Sequence, residues 1–308
     1  MRPVAVIDVG SNSVQMTIAA VGTDSIEVVR KEKVNARLGG CLDAHGALPA
    51  AHVEHLITVI SQFIEIAKDH DANIRAVATA TVRRARNRDD IVAALYQHTG
   101  CRLHVVSGRM EAALIRGGVF WGLKHLAGVP TVVVDVGGGS TEVSVGLGTS
   151  MRVLTSVNLG GLNFHERHFS AKRRSRRALV AAATQLEKRF FHTLDLCKKF
   201  GFETVVATGG TAQRIARLLA AQSGENFDSI DGYVFAAGAL ARLERTLECA
   251  TRQGTLHQIP GIDLTRADIM LGGVMIYRYI SDVLGNQNWI VSMGAIRTGV
   301  LTAPDWPT

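Results

Sequence analysis

Apolar positions change their period several times along the first third of the chain, and the changes mark its elements. Val4 to Val9 and the stretches at about 15–21 and 25–31 read as three successive strands. A turn-rich stretch runs through Leu38-Gly39-Gly40 and Gly46. From about Ala50 to Lys68, Val53, Leu56, Ile57, Ile60, Ile64 and Ala67 recur at helical spacing, which predicts an amphipathic helix. Strand Ile74–Ala78, helix Asp89–Tyr96, strand Leu103–Val106 and helix Arg109–Leu126 complete a βββαβαβα order. The pattern then restarts, with strands at about 131–135, 141–147 and 150–157. Helices at about 160–169 and 175–200, strand Thr204–Ala207 and a helix from about Gly210 to Ala221 follow. Helices at about 234–252 and 267–284, strand Trp289–Val291 and a terminal helix close the pattern. Gly128 and Pro130 punctuate the junction, so a hinge is expected over Gly122–Pro130. The division is into domains 1–126 and 127–308, with the terminal helix expected to pack back on the first.

The restart is visible in the letters themselves. Residues 8–18 read DVGSNSVQMTI and residues 135–145 read DVGGGSTEVSV, each after a β-branched run. Asp8 falls on Asp135, Gly10 on Gly137 and Ser13 on Ser140, at a constant offset of 127 positions. An acid ending a strand, a glycine turn with hydroxyls, then a second strand is suited to phosphate. Glycine lets amide N–H groups approach an anion without a Cβ in the way, and hydroxyls add donors. The acid repels phosphate directly, so it makes sense as the holder of a hard cation that in turn binds phosphate oxygens. Two such turns suggest two related halves facing a shared polyanion site.

Bulk properties narrow the partner without choosing it. The 308 residues are comfortable for two domains, and 47% hydrophobic with 20% charged residues describes an ordinary globular chain. A net charge of +7 favours a polyanion. No apolar run approaches the roughly 20 residues of a membrane span, and Arg2-Pro3 leads straight into a strand, so neither membrane nor signal sequence is expected. Cys41, Cys101, Cys197 and Cys249 are scattered with no CxxC spacing, which reads as reduced thiols in a cytoplasmic protein. No nucleic-acid recognition module appears. The basic run Lys172 to Arg177 reads as a solvated loop and helix face before it reads as a grip on an anionic chain.

Three further segments carry candidate chemistry. Ala207-Thr208-Gly209-Gly210-Thr211 leaves a strand and opens a helix, a third turn whose amides and dipole suit an anion. Ser107-Gly108-Arg109-Met110-Glu111 places Glu111 in a first helical turn, where a carboxylate either complements the dipole or acts as general base toward a water. Ala78-Thr79-Ala80-Thr81-Val82-Arg83-Arg84 offers Arg83, either a bidentate phosphate clamp or a surface arginine.

Taken together these segments resemble the exopolyphosphatase and guanosine pentaphosphate phosphohydrolase (Ppx/GppA) family of the actin/Hsp70/sugar-kinase superfamily, in a short two-domain form. The resemblance runs nearly end to end. It rests on AVIDVGSNS (5–13), RLGGCLDAHGALP (37–49), ATATVRRARN (78–87), VSGRMEAALI (106–115), VVVDVGGGSTE (132–142), NLGGLNFHERHF (158–169), ATGGTAQRIA (207–216) and RADIMLGG (266–273). It implies an α/β fold of two RNase H-like domains flanking a cleft.

The resemblance also implies roles. Glu111 falls on the family's catalytic glutamate and Arg83 on a phosphate-facing arginine. Asp135 and Glu142 fall on acidic positions associated with Mg²⁺ or Mn²⁺, and Asp8 on the equivalent acid of the first turn. Ser11, Asn12, Ser13, Gly137, Gly138, Gly139, Ser140, Thr141, Gly209, Gly210 and Thr211 match the phosphate-binding loops. The expected activity is release of orthophosphate from the end of inorganic polyphosphate. Hydrolysis of the 5′ γ-phosphate of guanosine pentaphosphate is the nearest alternative, ahead of a non-catalytic polyphosphate- or nucleotide-binding regulator. A kinase of the same superfamily would need an acceptor motif that is not seen. Homodimerisation is an expectation from the family alone. Three departures stand out: Met110 replaces a frequent second acid, Ala295-Ile296-Arg297-Thr298-Gly299 replaces Gly-Leu-Arg-Glu-Gly, and the C-terminal domains of long members, the helical HD-like one included, are not expected.

Overall fold

A computed structural model describes residues 2–169, 176–225, 229–264, 267–304 and 306–307, without the side chains of Arg176 and Asp268. The basic run Lys172 to Arg177 therefore lies largely outside the described residues. In chain order the elements are β1 (Val4–Val9), β2 (Val14–Val21), β3 (Ile26–Val34), α1 (Ala50–Asp69), β4 (Asn73–Ala78), α2 (Ala80–Arg84), α3 (Arg88–Thr99), β5 (Leu103–Val105) and α4 (Gly108–Gly122). They continue with β6 (Pro130–Val136), β7 (Thr141–Leu147), β8 (Ser150–Val157), α5 (Gly161–Phe169), α6 (Arg176–Phe200), β9 (Thr204–Thr208) and α7 (Gly209–Gln222). The last are β10 (Val234–Ala236), α8 (Gly238–Gln253), α9 (Ala267–Leu284), β11 (Asn288–Val291) and α10 (Ile296–Thr302).

The chain forms two compact units. The first comprises the chain up to Gly118 and again from Ile296, and the second comprises Val119–Ala295. In the first, the sheet order is β3-β2-β1-β4-β5, with β1, β2 and β3 antiparallel and β4 and β5 parallel to β1. This is the RNase H-like arrangement. Ile7, Val9, Met16 and Ile18 bury one face of it together with Leu56, Ile60, Phe63 and Ile64 of α1. The inward side chains of the strands and the one apolar stripe of α1 thus close the same core, as their periods of two and 3.6 require.

The second unit repeats the plan. β8-β7-β6-β9-β11 follow the same order and directions, and β10 adds an antiparallel edge strand. Its core joins Val132, Val134, Val143 and Val145 to Phe164, Phe190, Ile215, Leu243, Tyr277 and Trp289. The repetition extends to an irregularity: the β2–β3 register shifts between Ile18 and Ala19, and the β7–β8 register shifts between Val145 and Gly146. Those positions lie 127 apart, the offset of the repeated phrase. At the second, a Cβ on Gly146 would stand 2.0 Å from the Ser150 carbonyl oxygen, so the bulge requires glycine there.

Two expectations from periodicity need correction. The single helix expected over 234–252 is a three-residue strand followed by α8, because Val234–Ala236 pair with Asn288–Ile290 of β11. The helix expected to reach Leu126 ends at Gly122, and a single 3₁₀ turn covers Lys124–Leu126. Among the described residues, no helix is long and apolar enough to cross a membrane.

Candidate active site

In the first unit, β1 delivers Asp8 to the strand's end and the chain turns through Gly10–Ser13 into β2. The Gly10 N–H closes this turn on the Ser13 carbonyl at 3.1 Å. The turn's own carbonyls are tied down behind it. Gly39 N–H donates to Ser11 at 2.7 Å and Arg37 N–H to Asn12 at 2.9 Å. Arg37 does this from a left-handed conformation, φ 47°, a strained choice for a non-glycine residue. Thr81 Oγ1, on α2, donates to Ser11 Oγ at 2.8 Å.

α2 also carries Arg83 toward α4. Ser107 accepts the Met110 N–H on its Oγ (3.1 Å) and the Glu111 N–H on its carbonyl (2.9 Å), starting α4 and fixing Glu111 in its first turn. Glu111 is 6% exposed, and its Oε2 accepts from Arg83 Nη1 at 2.6 Å. The same nitrogen lies 3.1 Å from the Val106 carbonyl. Arg83, read from sequence as a phosphate clamp, is therefore also the group that orients Glu111. Burying a carboxylate without a partner is costly, and the Arg83 guanidinium supplies the partner. Met110, beside it, is 52% exposed, so the position of the missing second acid faces water.

Asp8 has a neighbour that sequence reasoning left unassigned. Arg297 Nη1 of α10 lies 3.5 Å from its Oδ2, across 289 positions of sequence. Burial pushes the Asp8 carboxyl up, against the pull of Arg297. Arg75 on β4 fixes the far end of the same short helix, its Nη1 donating to the Val300 and Ala303 carbonyls at 2.7 and 2.9 Å.

In the second unit, Asp135 stands opposite Glu142 in the β6–β7 register, as Asp8 stands opposite Gln15 in β1–β2. The duplication has diverged there: one unit holds an acidic pair, the other an acid beside an arginine. Glu142 is 3% exposed and accepts from Ser156 Oγ at 2.7 Å. Gly209, with φ +79°, presses against Asp135 so closely that a Cβ would lie 2.0 Å from Oδ1. Glycine is needed at that turn for both its backbone angle and the space. Beneath, the buried Tyr277 hydroxyl lies 3.1 Å from the Thr208 carbonyl and 3.4 Å from the Val136 N–H. Burial, then the Asp135 charge, holds that phenol well above its ordinary pKa.

The Gly137–Ser140 turn closes like its counterpart, Gly137 N–H to Ser140 carbonyl at 3.0 Å. Two hydroxyls read from sequence as phosphate donors are committed elsewhere. Thr141 Oγ1 donates to the Leu159 carbonyl at 2.6 Å and Thr211 Oγ1 to the Val136 carbonyl at 2.7 Å. They brace the loops, which leaves the backbone amides, Ser140 and the Gly209–Gly210 turn as this unit's remaining candidates for anion binding. Tyr277 lies in no segment quoted for the family, and Arg297 and Asn163, which binds Gly160 and Gly139, lie in segments matched to the family's that say nothing of their partners.

A divalent cation fits the second unit by donor chemistry. Asp135 and Glu142 are hard oxygen donors on adjacent strands. Among the described residues no group of three or more His, Cys, Asp or Glu converges. One or two carboxylates completed by water and phosphate oxygens is the Mg²⁺ habit, whereas a full protein cage is not.

The chain resembles known proteins in both sequence and fold. The chain is 31% identical over 299 residues to a guanosine-5′-triphosphate,3′-diphosphate pyrophosphatase of Vibrio vulnificus, and 31% identical over 304 residues to that of Vibrio cholerae. Each match covers 96% of this chain but 58% of the relative, so the chain spans a little under three-fifths of their length. A Ppx/GppA family member from Aquifex aeolicus superposes with TM-score 0.83 at 26% identity, over 97% of this chain and 96% of that one. An exopolyphosphatase from Cytophaga hutchinsonii shares the fold at TM-score 0.86 and 19% identity, over 97% and 96%. The Ppx/GppA phosphatase family model matches residues 17–304, and the chain belongs to that family.

Proposed function

We propose that the chain hydrolyses the terminal phosphoanhydride of a linear phosphate ester or polymer, with guanosine 5′-triphosphate 3′-diphosphate as the first substrate to consider. The observation that carries the hydrolase reading is Glu111, buried in the first turn of α4 and held at 2.6 Å by Arg83. Sequence alone ranks inorganic polyphosphate first. The curated relatives at 31% identity bear the name of the guanosine pentaphosphate enzyme, and that supports reversing the order. Polyphosphate stays as the second reading because a chain of net charge +7 suits a long polyanion.

In this reading the reaction asks for alignment and charge neutralisation more than covalent chemistry. The amides of the glycine turns hold non-bridging oxygens. Glu111 orients a water toward the terminal phosphorus and takes its proton as the new P–O bond forms. The bridging P–O bond breaks and orthophosphate leaves, with the shortened phosphate chain as the other product. Arg83 keeps the carboxylate of Glu111 in one rotamer throughout. Asp135 and Glu142 would hold Mg²⁺, which when bound offsets the charge of the terminal phosphates.

The test is phosphate release, with Mg²⁺, from guanosine pentaphosphate, long-chain polyphosphate and tripolyphosphate in parallel. General-base help is typically worth about 10²–10⁴-fold, so Glu111→Gln is expected to lose that much turnover while keeping substrate affinity. Wild-type release from none of the three, or equal single-turnover rates for the variant, removes the proposal. A polyphosphate preference over guanosine pentaphosphate promotes the second reading.

A further inference from the structure

The segment NLGGLNFHERHF (158–169) matches the family yet received no role, and its start lies against the second unit's glycine turn. Three consecutive main-chain bonds run from the beginning of α5 back to that turn: Gly161 N–H to Gly137 at 2.8 Å, Leu162 N–H to Gly138 at 3.0 Å and Asn163 N–H to Gly138 at 3.2 Å. The Asn163 side chain adds two more. Its Oδ1 accepts the Gly160 N–H at 2.8 Å and its Nδ2 donates to the Gly139 carbonyl at 2.9 Å. Gly160 allows the approach, since a Cβ there would stand 2.5 Å from the Gly138 carbonyl carbon.

Every carbonyl of Gly137, Gly138 and Gly139 is thereby turned toward α5. A peptide plane carries its N–H opposite its C=O. Fixing these carbonyls on the helix side fixes the amides of Gly138, Gly139 and Ser140 on the other, as a nest for an anion. The first unit solves the same problem with main chain alone: Gly39 and Arg37 amides hold the Ser11 and Asn12 carbonyls. Gly139 corresponds to Asn12 at the offset of 127, so a side-chain amide does in one half what a strained backbone does in the other.

We infer that Asn163 is the positioning residue of the phosphate loop: its carboxamide clasps Gly160 and Gly139 together and so sets the direction of the loop amides. This rests on the reading of Gly137–Ser140 as an anion-binding turn. It predicts that Asn163 acts on affinity for phosphate chains without touching them.

Tripolyphosphate binding, measured by calorimetry with Mg²⁺ on the whole chain, tests it. Asn163→Ala removes both side-chain bonds and is expected to weaken binding about tenfold, the scale of one or two lost hydrogen bonds. Asn163→Asp keeps the acceptor for the Gly160 N–H, so the helix start survives, but sets an acceptor against the Gly139 carbonyl. It is expected to weaken binding at least as much with little change in Tm. Asn87→Ala is the matched control: Asn87 also makes two bonds to main chain, with the N–H and C=O of Leu48, neither of them to a candidate phosphate turn. It should lower Tm as Asn163→Ala does and leave affinity alone. Unchanged affinity in both Asn163 variants, or an equal loss in Asn87→Ala, overturns the inference. Wild type that neither binds tripolyphosphate nor releases phosphate overturns the loop reading itself, and this one with it.

Discussion

Replacing Gly209 by alanine tests the acidic corner of the second unit with a single methyl group. The new Cβ would lie 2.0 Å from Asp135 Oδ1, 2.7 Å from Cγ and 2.9 Å from Oδ2. Ordinary carbon–oxygen contact begins near 3.4 Å, so the carboxylate must retreat by about 1.4 Å. β6 cannot carry it away, because Asp135 is registered with Glu142 on one side and Thr208 on the other. The side chain must therefore leave its rotamer, at about 0.5–1.5 kcal/mol. Holding φ near +79° costs a non-glycine residue roughly 1–2 kcal/mol more. Against these, the unfolded chain loses freedom, which returns about 0.4–1 kcal/mol. The net loss of about 0.5–3 kcal/mol should lower Tm by about 1–12 °C at 2–4 °C per kcal/mol. The effect on turnover should be larger, since misplacing a group that aligns the reactants by about 1 Å can cost 10²-fold. Phosphate release and differential scanning calorimetry on the same preparation measure both. Gly238→Ala, at the start of α8 with nothing within 4 Å of the built Cβ, is the control and should be neutral or slightly stabilising. A Gly209→Ala enzyme within threefold of wild type would refute the reasoning, as would equal losses in the control.

Two further outcomes follow from packing and burial. Gly299→Ala puts a Cβ 1.9 Å from the Leu114 carbonyl oxygen of α4, a main-chain atom with nowhere to go; α10 should loosen at a cost of at least about 1–3 kcal/mol, read as a lower Tm and faster proteolysis after residue 295. Glu244 is paired with Arg278 at 2.6 Å, yet burial outweighs that pairing and raises its carboxyl. The folded state then keeps the Glu244 proton to higher pH than the unfolded chain, so this group's contribution to stability falls as pH rises from the ordinary carboxylate range through the folded value. Glu244→Gln lacks that term, and its Tm relative to wild type should improve between pH 4 and pH 7; a constant difference across that range would contradict the assignment.

The positions of the strands along each half were legible because the same hydrophobic period, acid and glycine turn recur at one offset, whereas the sheet they form was implied by the family resemblance alone. What escaped the sequence depended on distant partners. Val234–Ala236 is only three residues long and runs straight into an amphipathic helix, so nothing local separates it; its pairing with Asn288–Ile290 does. α2 is five residues with β-branched Thr81 and Val82, too short and too poor in helix formers to announce itself. At the site, the place of Glu111 at a helix start was legible, but the choice of its catalytic reading came from the family resemblance alone, and its contact with Arg83 was not legible, because a clamp and an orienting partner look alike in sequence. Thr141 and Thr211 read as donors to a ligand, and only their carbonyl partners reveal them as braces. Arg297 and Asn163 bind groups that no motif connects to them.

The division of the first unit between Gly118 and Ile296 bears on how the molecule is made. The ribosome finishes β1 to α3 and the Glu111 turn early, but α10, which brings Arg297 to Asp8 and lays Gly299 on Leu114, emerges only after the whole second unit. At about 5–20 residues per second the wait is roughly 10–35 s. The unit begun first is thus completed last, and the second can fold on the nascent chain from contiguous residues while the Asp8 turn still lacks its arginine. Translation order itself keeps one half of the candidate chemistry unassembled until Val119–Ala295 has been synthesised.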